Sequence, residues 1–202
     1  GVFLPPSETI LAHAREQATR PFTPVYADAD AHYEAEFTLD ISRLEPQIAR
    51  PGGVHNAVNL SEVAGTPVSH AFIGSCGSGM WDDLMQAAAV LKGRRVADGG
   101  RLFIAPGTEA STRRLAKEGW MQVLIEAGAI LLPAGCGPCN DAVIGPIHSG
   151  EVSISTATNN PPGRFGAREA KLYLGSPATV AASAVTGKIT DPREFMMMET
   201  AL

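Results

Sequence analysis

No apolar run in this chain approaches the roughly 20 residues that a bilayer-spanning helix needs. The opening stretch from Gly1 to Pro5 has neither a basic region nor a cleavage-site pattern. These absences point to a soluble protein of the cytoplasm. Blocks of like charge are also missing: 16 basic and 21 acidic side chains leave a formal net charge of −5, spread along the sequence. That removes the electrostatic signature of a nucleic-acid or anionic-membrane binder, so an anionic ligand would have to be met by a few local arginines. There is no internal repeat and no low-complexity tract. What remains, 202 residues of which 45% are hydrophobic and 18% charged, is the composition of an ordinary globular domain with a sizeable core. Cysteine is scarce, at three. Three is one ligand short of a closed structural zinc site, whereas three thiolates around an iron–sulfur cluster leave one iron open to a substrate oxygen.

All three cysteines stand in glycine-rich turns, Cys76 in Gly74-Ser75-Cys76-Gly77-Ser78-Gly79, and Cys136 and Cys139 in Gly135-Cys136-Gly137-Pro138-Cys139-Asn140. Glycine exposes the backbone and admits a bulky ligand, which a buried packing cysteine does not need. The string Cys136-Gly137-Pro138-Cys139 also matches the thiol–disulfide motif of thioredoxins. Its context differs, because it falls two-thirds of the way along the chain behind the apolar run Ala129 to Ala134.

Residues 1–66 read as an N-terminal helix, strand and connector, and 67–202 as an α/β core. A helix is expected from Ser7, its N-cap, to Ala18, and an alternating strand from Glu34 to Ile41. A Pro- and Gly-rich connector then runs to Glu62. Beyond it strands (Val68–Ile73, Leu102–Ala105, Ala129–Leu132, Val152–Thr156) alternate with helices (Asp82–Leu91, Ser111–Ala127, Ala178–Val185), and a short helical segment is expected near Asn140. Such alternation predicts a three-layer α/β/α domain with a mostly parallel sheet. Ligands of these sheets bind at the carboxyl ends of the strands, where both cysteine turns fall. The loop 157–166 offers Thr158, Asn159, Asn160 and Arg164 as donors toward an anion, stiffened by Pro161 and Pro162.

Several ordered blocks carry a family resemblance: Ile73-Gly74-Ser75-Cys76 with Asp82-Asp83-Leu84, Ala105-Pro106-Gly107-Thr108, Gly135 to Cys139, Ser155-Thr156 with Gly163-Arg164-Phe165-Gly166, and Ser176 to Ala184. With Leu44-Glu45-Pro46 upstream, these resemble the aconitase and isopropylmalate dehydratase large-subunit family over nearly the whole chain. The resemblance implies that Cys76, Cys136 and Cys139 hold a [4Fe-4S] cluster, which an isolated domain can lose. It further implies that Arg164 pairs with a carboxylate of a small carboxylic acid, and that Ser155, Thr156, Thr158, Asn159 and Asn160 line the same site. The implied reaction is dehydration or hydration of a 2-hydroxy acid.

Two positions depart from the family, which usually has Thr-Asn where Gly77-Ser78 stand and Asn-Arg-Asn where Thr158-Asn159-Asn160 stand. Losing a guanidinium at Asn159 removes a carboxylate contact of ~2 kcal/mol, which favours a substrate with a different carboxylate arrangement or a neutral arm. The acid and base groups that the family places elsewhere have no counterpart here. The resemblance therefore implies the cluster-carrying C-terminal part of a larger enzyme, excised or split, that is inactive alone and works with missing N-terminal domains or a small swivelling subunit. His13, His32, His55, His70 and His148 fall in no catalytic motif and read as surface or packing residues. A thiol–disulfide oxidoreductase and a non-catalytic iron-sensing module remain the alternatives.

Overall fold

A computed structural model describes residues 4–140 and 144–196 of the chain. The chain divides into two compact units, 1–43 and 44–202. In the first, α1 spans Glu8–Gln17, and the Ser7 hydroxyl accepts from the Ile10 amide at 3.3 Å as a helix cap does. The strand expected over 34–41 does not form. Its alternation leaves Phe37, Leu39 and Ile41 exposed, and an unpaired strand cannot satisfy its backbone groups by itself.

The second unit is built on one seven-stranded sheet. The stretch read as a connector supplies β1 (Gln47–Ala49) and β2 (Ala57–Asn59), an antiparallel pair around the Pro51-Gly52 turn. Then come β3 (His70–Gly74), the one-turn α2 (Ser75–Ser78), α3 (Trp81–Leu91) and β4 (Arg101–Ala105). The expected long helix is broken at Gly119, in the left-handed conformation, into α4 (Glu109–Lys117) and α5 (Trp120–Glu126). β5 (Ala129–Leu131), β6 (Val152–Ser155), the unforeseen β7 (Lys171–Leu174), α6 (Pro177–Thr186) and α7 (Arg193–Met196) complete it. A helix opening near Asn140 would fall largely on 141–143, outside the described residues. No described helix is long and apolar enough to cross a membrane.

The strand order is β2-β1-β7-β6-β3-β4-β5, and β7, β6, β3, β4 and β5 are all parallel. Alternate residues feed the two faces. Ala71, Ile73, Leu102, Ile104 and Ile154 join the main core with α3 and α6, whereas Phe72, Phe103, Ala105 and Leu172 face a second cluster with Cys139, Ile147, Ala157 and Phe165. Helix α6 is buried along 177–184 because its side chains are small, and it is bounded as its sequence requires, with Pro177 at the first position and left-handed Gly187 at the end.

Of the five histidines only His70 is buried, at 1% exposure; the others are exposed. Its Nδ1 lies 2.8 Å from the Ser153 hydroxyl and its Nε2 3.0 Å from the Gly145 carbonyl, so the neutral ring donates from Nε2 and accepts at Nδ1. Burial pushes its pKa down from 6.5 to about 4, and the Gly145 hydrogen bond restores only part of that. The unfolded chain therefore takes up a proton near pH 6.5 that the folded chain refuses until about pH 4, and stability falls as pH drops through that window. The loss is about 2 kcal/mol between pH 7 and pH 5. Urea midpoints at the two pH values should show it, and His70→Gln should flatten the dependence.

Candidate functional site

Strand order reverses between β3 and β6: from β3 the chain winds outward through β4 to β5, and β6 lies on β3's other side. Open α/β sheets bind ligands in the crevice at such a point, beyond the carboxyl ends of the strands. Cys76 follows β3 directly, and the polar loop 157–166 follows β6. The turn is made by an unusual backbone, with Gly74 at φ 143° and Ser75, the one described non-glycine residue with positive φ, at 71°. Thr156 ties the two strand ends together, accepting from the Gly74 amide at 2.9 Å and donating to the Gly74 carbonyl at 3.3 Å.

The second cysteine turn starts at the far edge of the sheet and returns. Leu132 N–H donates to the Ile104 carbonyl at 2.8 Å and Gly135 N–H to the Pro106 carbonyl at 2.9 Å. By Gly137 the chain touches Phe72 and Ala105, where a Cβ would sit 3.1 and 3.3 Å from them. Cys136 is exposed and lines a hollow of about 200 Å³, while Cys139 is buried. A single 3-10 turn, Gly137–Cys139, follows Cys136. The thioredoxin-type nucleophile sits instead at the start of a helix.

The six residues expected to line the site divide into two groups. Thr158 and Asn159 are exposed and Arg164 is half-buried, with Nη2 3.7 Å from the Cys139 sulfur. Ser155, Thr156 and Asn160 are buried. Ser155 Oγ accepts from the Ala157 amide at 3.2 Å. Asn160 Nδ2 donates to the Arg50 carbonyl at 2.8 Å and the Leu172 carbonyl at 2.9 Å, anchoring the polar loop to the ends of β1 and β7. The sequence reading missed this brace, whose only signal was the Pro51-Gly52-Gly53 turn. It also missed the aromatic backing, where Phe165, fully buried, meets Phe72 edge-on at 5.8 Å and His70 at 6.1 Å.

The two departures from the family pattern meet in space. A Cβ at Gly77 would stand 2.8 Å from the Thr158 methyl, so the missing side chain at 77 makes the room that Thr158 uses.

The three thiols are unpaired, and all stand on turns at one sheet edge. Among the described residues no group of three or more His, Cys, Asp and Glu is placed to hold a metal ion. An all-thiolate donor set suits an iron–sulfur cluster, and on donor chemistry these residues fit one.

The sequence pattern of the aconitase family (aconitate hydratase) matches residues 60–187. The 3-isopropylmalate dehydratase large subunit 1 of Methanopyrus kandleri is 46% identical over 193 residues, which is 96% of this chain and 46% of that protein. A probable methanogen homoaconitase large subunit of Methanosarcina mazei is 44% identical over 192 residues, 95% of this chain and 48% of that protein. The 3-isopropylmalate dehydratase large subunit of Mycolicibacterium smegmatis is 42% identical over 190 residues, 94% of this chain and 45% of that protein. The chain thus spans about half the length of these relatives. Likeness of that extent establishes that the chain belongs to the aconitase family.

Proposed function

We propose that this chain is the cluster-bearing part of a hydro-lyase that removes water from, or adds it to, a 2-hydroxy carboxylic acid. The observation that carries the reading is the half-buried Arg164 guanidinium 3.7 Å from the Cys139 sulfur, on an aconitase-family chain whose three free thiols all follow parallel strands of the sheet. Cys76, Cys136 and Cys139 would hold a [4Fe-4S] cluster, which supplies a Lewis-acid iron to polarise the substrate C–OH bond. The chain's own residues bind and orient. The Arg164 guanidinium, a planar fork, matches a carboxylate with two parallel hydrogen bonds. Thr158 and Asn159 lie on the open side of the same loop. Ser155, Thr156 and Asn160 fix the backbone from which these groups project.

Proton transfer needs a positioned group. His70 is sealed in the core and stays neutral near pH 7. We assign the acid and base to the rest of a longer large subunit or to a small subunit, a partner that the relatives' name "large subunit" supports.

The purified chain should turn over no 2-hydroxy acid, and adding the missing half and a small subunit should restore activity. In that assembled enzyme Asn159→Arg should shift kcat/KM toward substrates with one more carboxylate by about 10- to 100-fold, the strength of a charge-assisted contact. Turnover by the chain alone would mean that the base lies within it. Inactivity of every assembled form would overturn the hydro-lyase reading.

A further inference from the structure

We propose that Arg164 is also a positioning residue for the cluster ligand Cys139, donating to its sulfur and thereby raising the cluster's reduction potential. This rests on the hydro-lyase reading for the presence of the cluster. Nη2 stands 3.7 Å from Sγ, and fixed neighbours build the contact. On the loop, Arg164 N–H donates to the Pro161 carbonyl at 3.1 Å and Gly166 N–H to the Gly163 carbonyl at 3.2 Å. Phe165, fully buried, locks the next position. Upstream, Asn160 bolts the loop to Arg50 and Leu172. On the thiol side, Cys139 is 5% exposed and shares a cluster with Phe72, Ala105 and Phe165.

A thiolate that ligates iron keeps lone pairs able to accept N–H donors, and such donors tune iron–sulfur potentials. Adding an electron makes the cluster more negative, so a nearby guanidinium favours the reduced state and raises the potential. The effect is concentrated at Cys139. Cys76 and Cys136 are exposed and water can reach them, whereas the buried sulfur sits in a low-dielectric setting where a charged donor is felt more strongly.

The test uses the 202-residue chain, reconstituted anaerobically with ferrous iron and sulfide and titrated potentiometrically by electron paramagnetic resonance. With iron and sulfide content held equal, the potential should fall in the order wild type, Arg164→Lys, Arg164→Gln, Arg164→Met. Methionine fills much of the same space without a donor, so a purely packing role would leave it near wild type. Lysine restores charge, and its intermediate value is the signature of a charged donor. A loaded Arg164→Met or Arg164→Gln protein with the wild-type potential would overturn this inference alone. A wild-type chain that assembles no cluster would overturn the hydro-lyase reading and this inference with it.

Discussion

Alanine at Gly74 is expected to remove about 4 kcal/mol of the chain's stability. A Cβ there would overlap the Ala105 carbonyl oxygen and stand 2.9 Å from the Ala105 nitrogen and carbonyl carbon, all backbone atoms of the neighbouring strand. Backbone cannot swing aside as a side-chain tip can. Gly74 also sits at φ 143°, a region that residues with side chains rarely enter. Strain of about 1–3 kcal/mol and overpacking of about 1–3 kcal/mol together give about 4 kcal/mol, a large fraction of the stability of an ordinary domain. Gly65 is the control. Its φ is 81°, but nothing lies within 4 Å of an added Cβ, so Gly65→Ala should cost only about 1 kcal/mol. Denaturant midpoints of the two variants would separate them, and equal losses would mean that the β3–β4 junction gives way more easily than its geometry implies.

Serine in place of Cys76, Cys136 or Cys139 is expected to abolish the activity of the assembled enzyme. Lewis-acid polarisation by a metal supplies several kcal/mol of transition-state stabilisation, so losing it costs at least about 10³-fold in kcat. The pattern among the three variants separates the alternatives. A thiol–disulfide enzyme built on Cys136 and Cys139 would tolerate Cys76→Ser, whereas a shared cluster does not. Iron and sulfide content measured beside the rates would show whether each loss tracks the cluster.

The parallel core was legible in the sequence because alternation between strand and helix is a local signal. The carboxyl-edge placement of the cysteine turns followed from it. The caps of α1 and α6 were equally plain, since Ser7, Ser176, Pro177 and Gly187 act within a few residues. The failures were non-local. Strands β1, β2 and β7 are three or four residues long and become strands only through sheet pairing, whereas 34–41 has the better alternation and forms no strand. Arg164 and the cysteines stand out as candidates from residue type and turn context alone. The division of labour in the polar loop does not. Whether Asn160 faces a ligand or clasps the Arg50 and Leu172 carbonyls depends on residues up to 110 positions away. The fit between Gly77 and Thr158, likewise, is visible only once β3 and β6 lie side by side.

The claim that Cys76 acts with the distant Cys136 and Cys139 on one cluster is tested most directly by iron and acid-labile sulfide analysis of the anaerobically reconstituted chain. Wild type should hold about four irons and four sulfides per chain, and Cys76→Ser should lose that complement as fully as Cys139→Ser does. A Cys76→Ser protein that retains the wild-type iron and sulfide content would contradict the account.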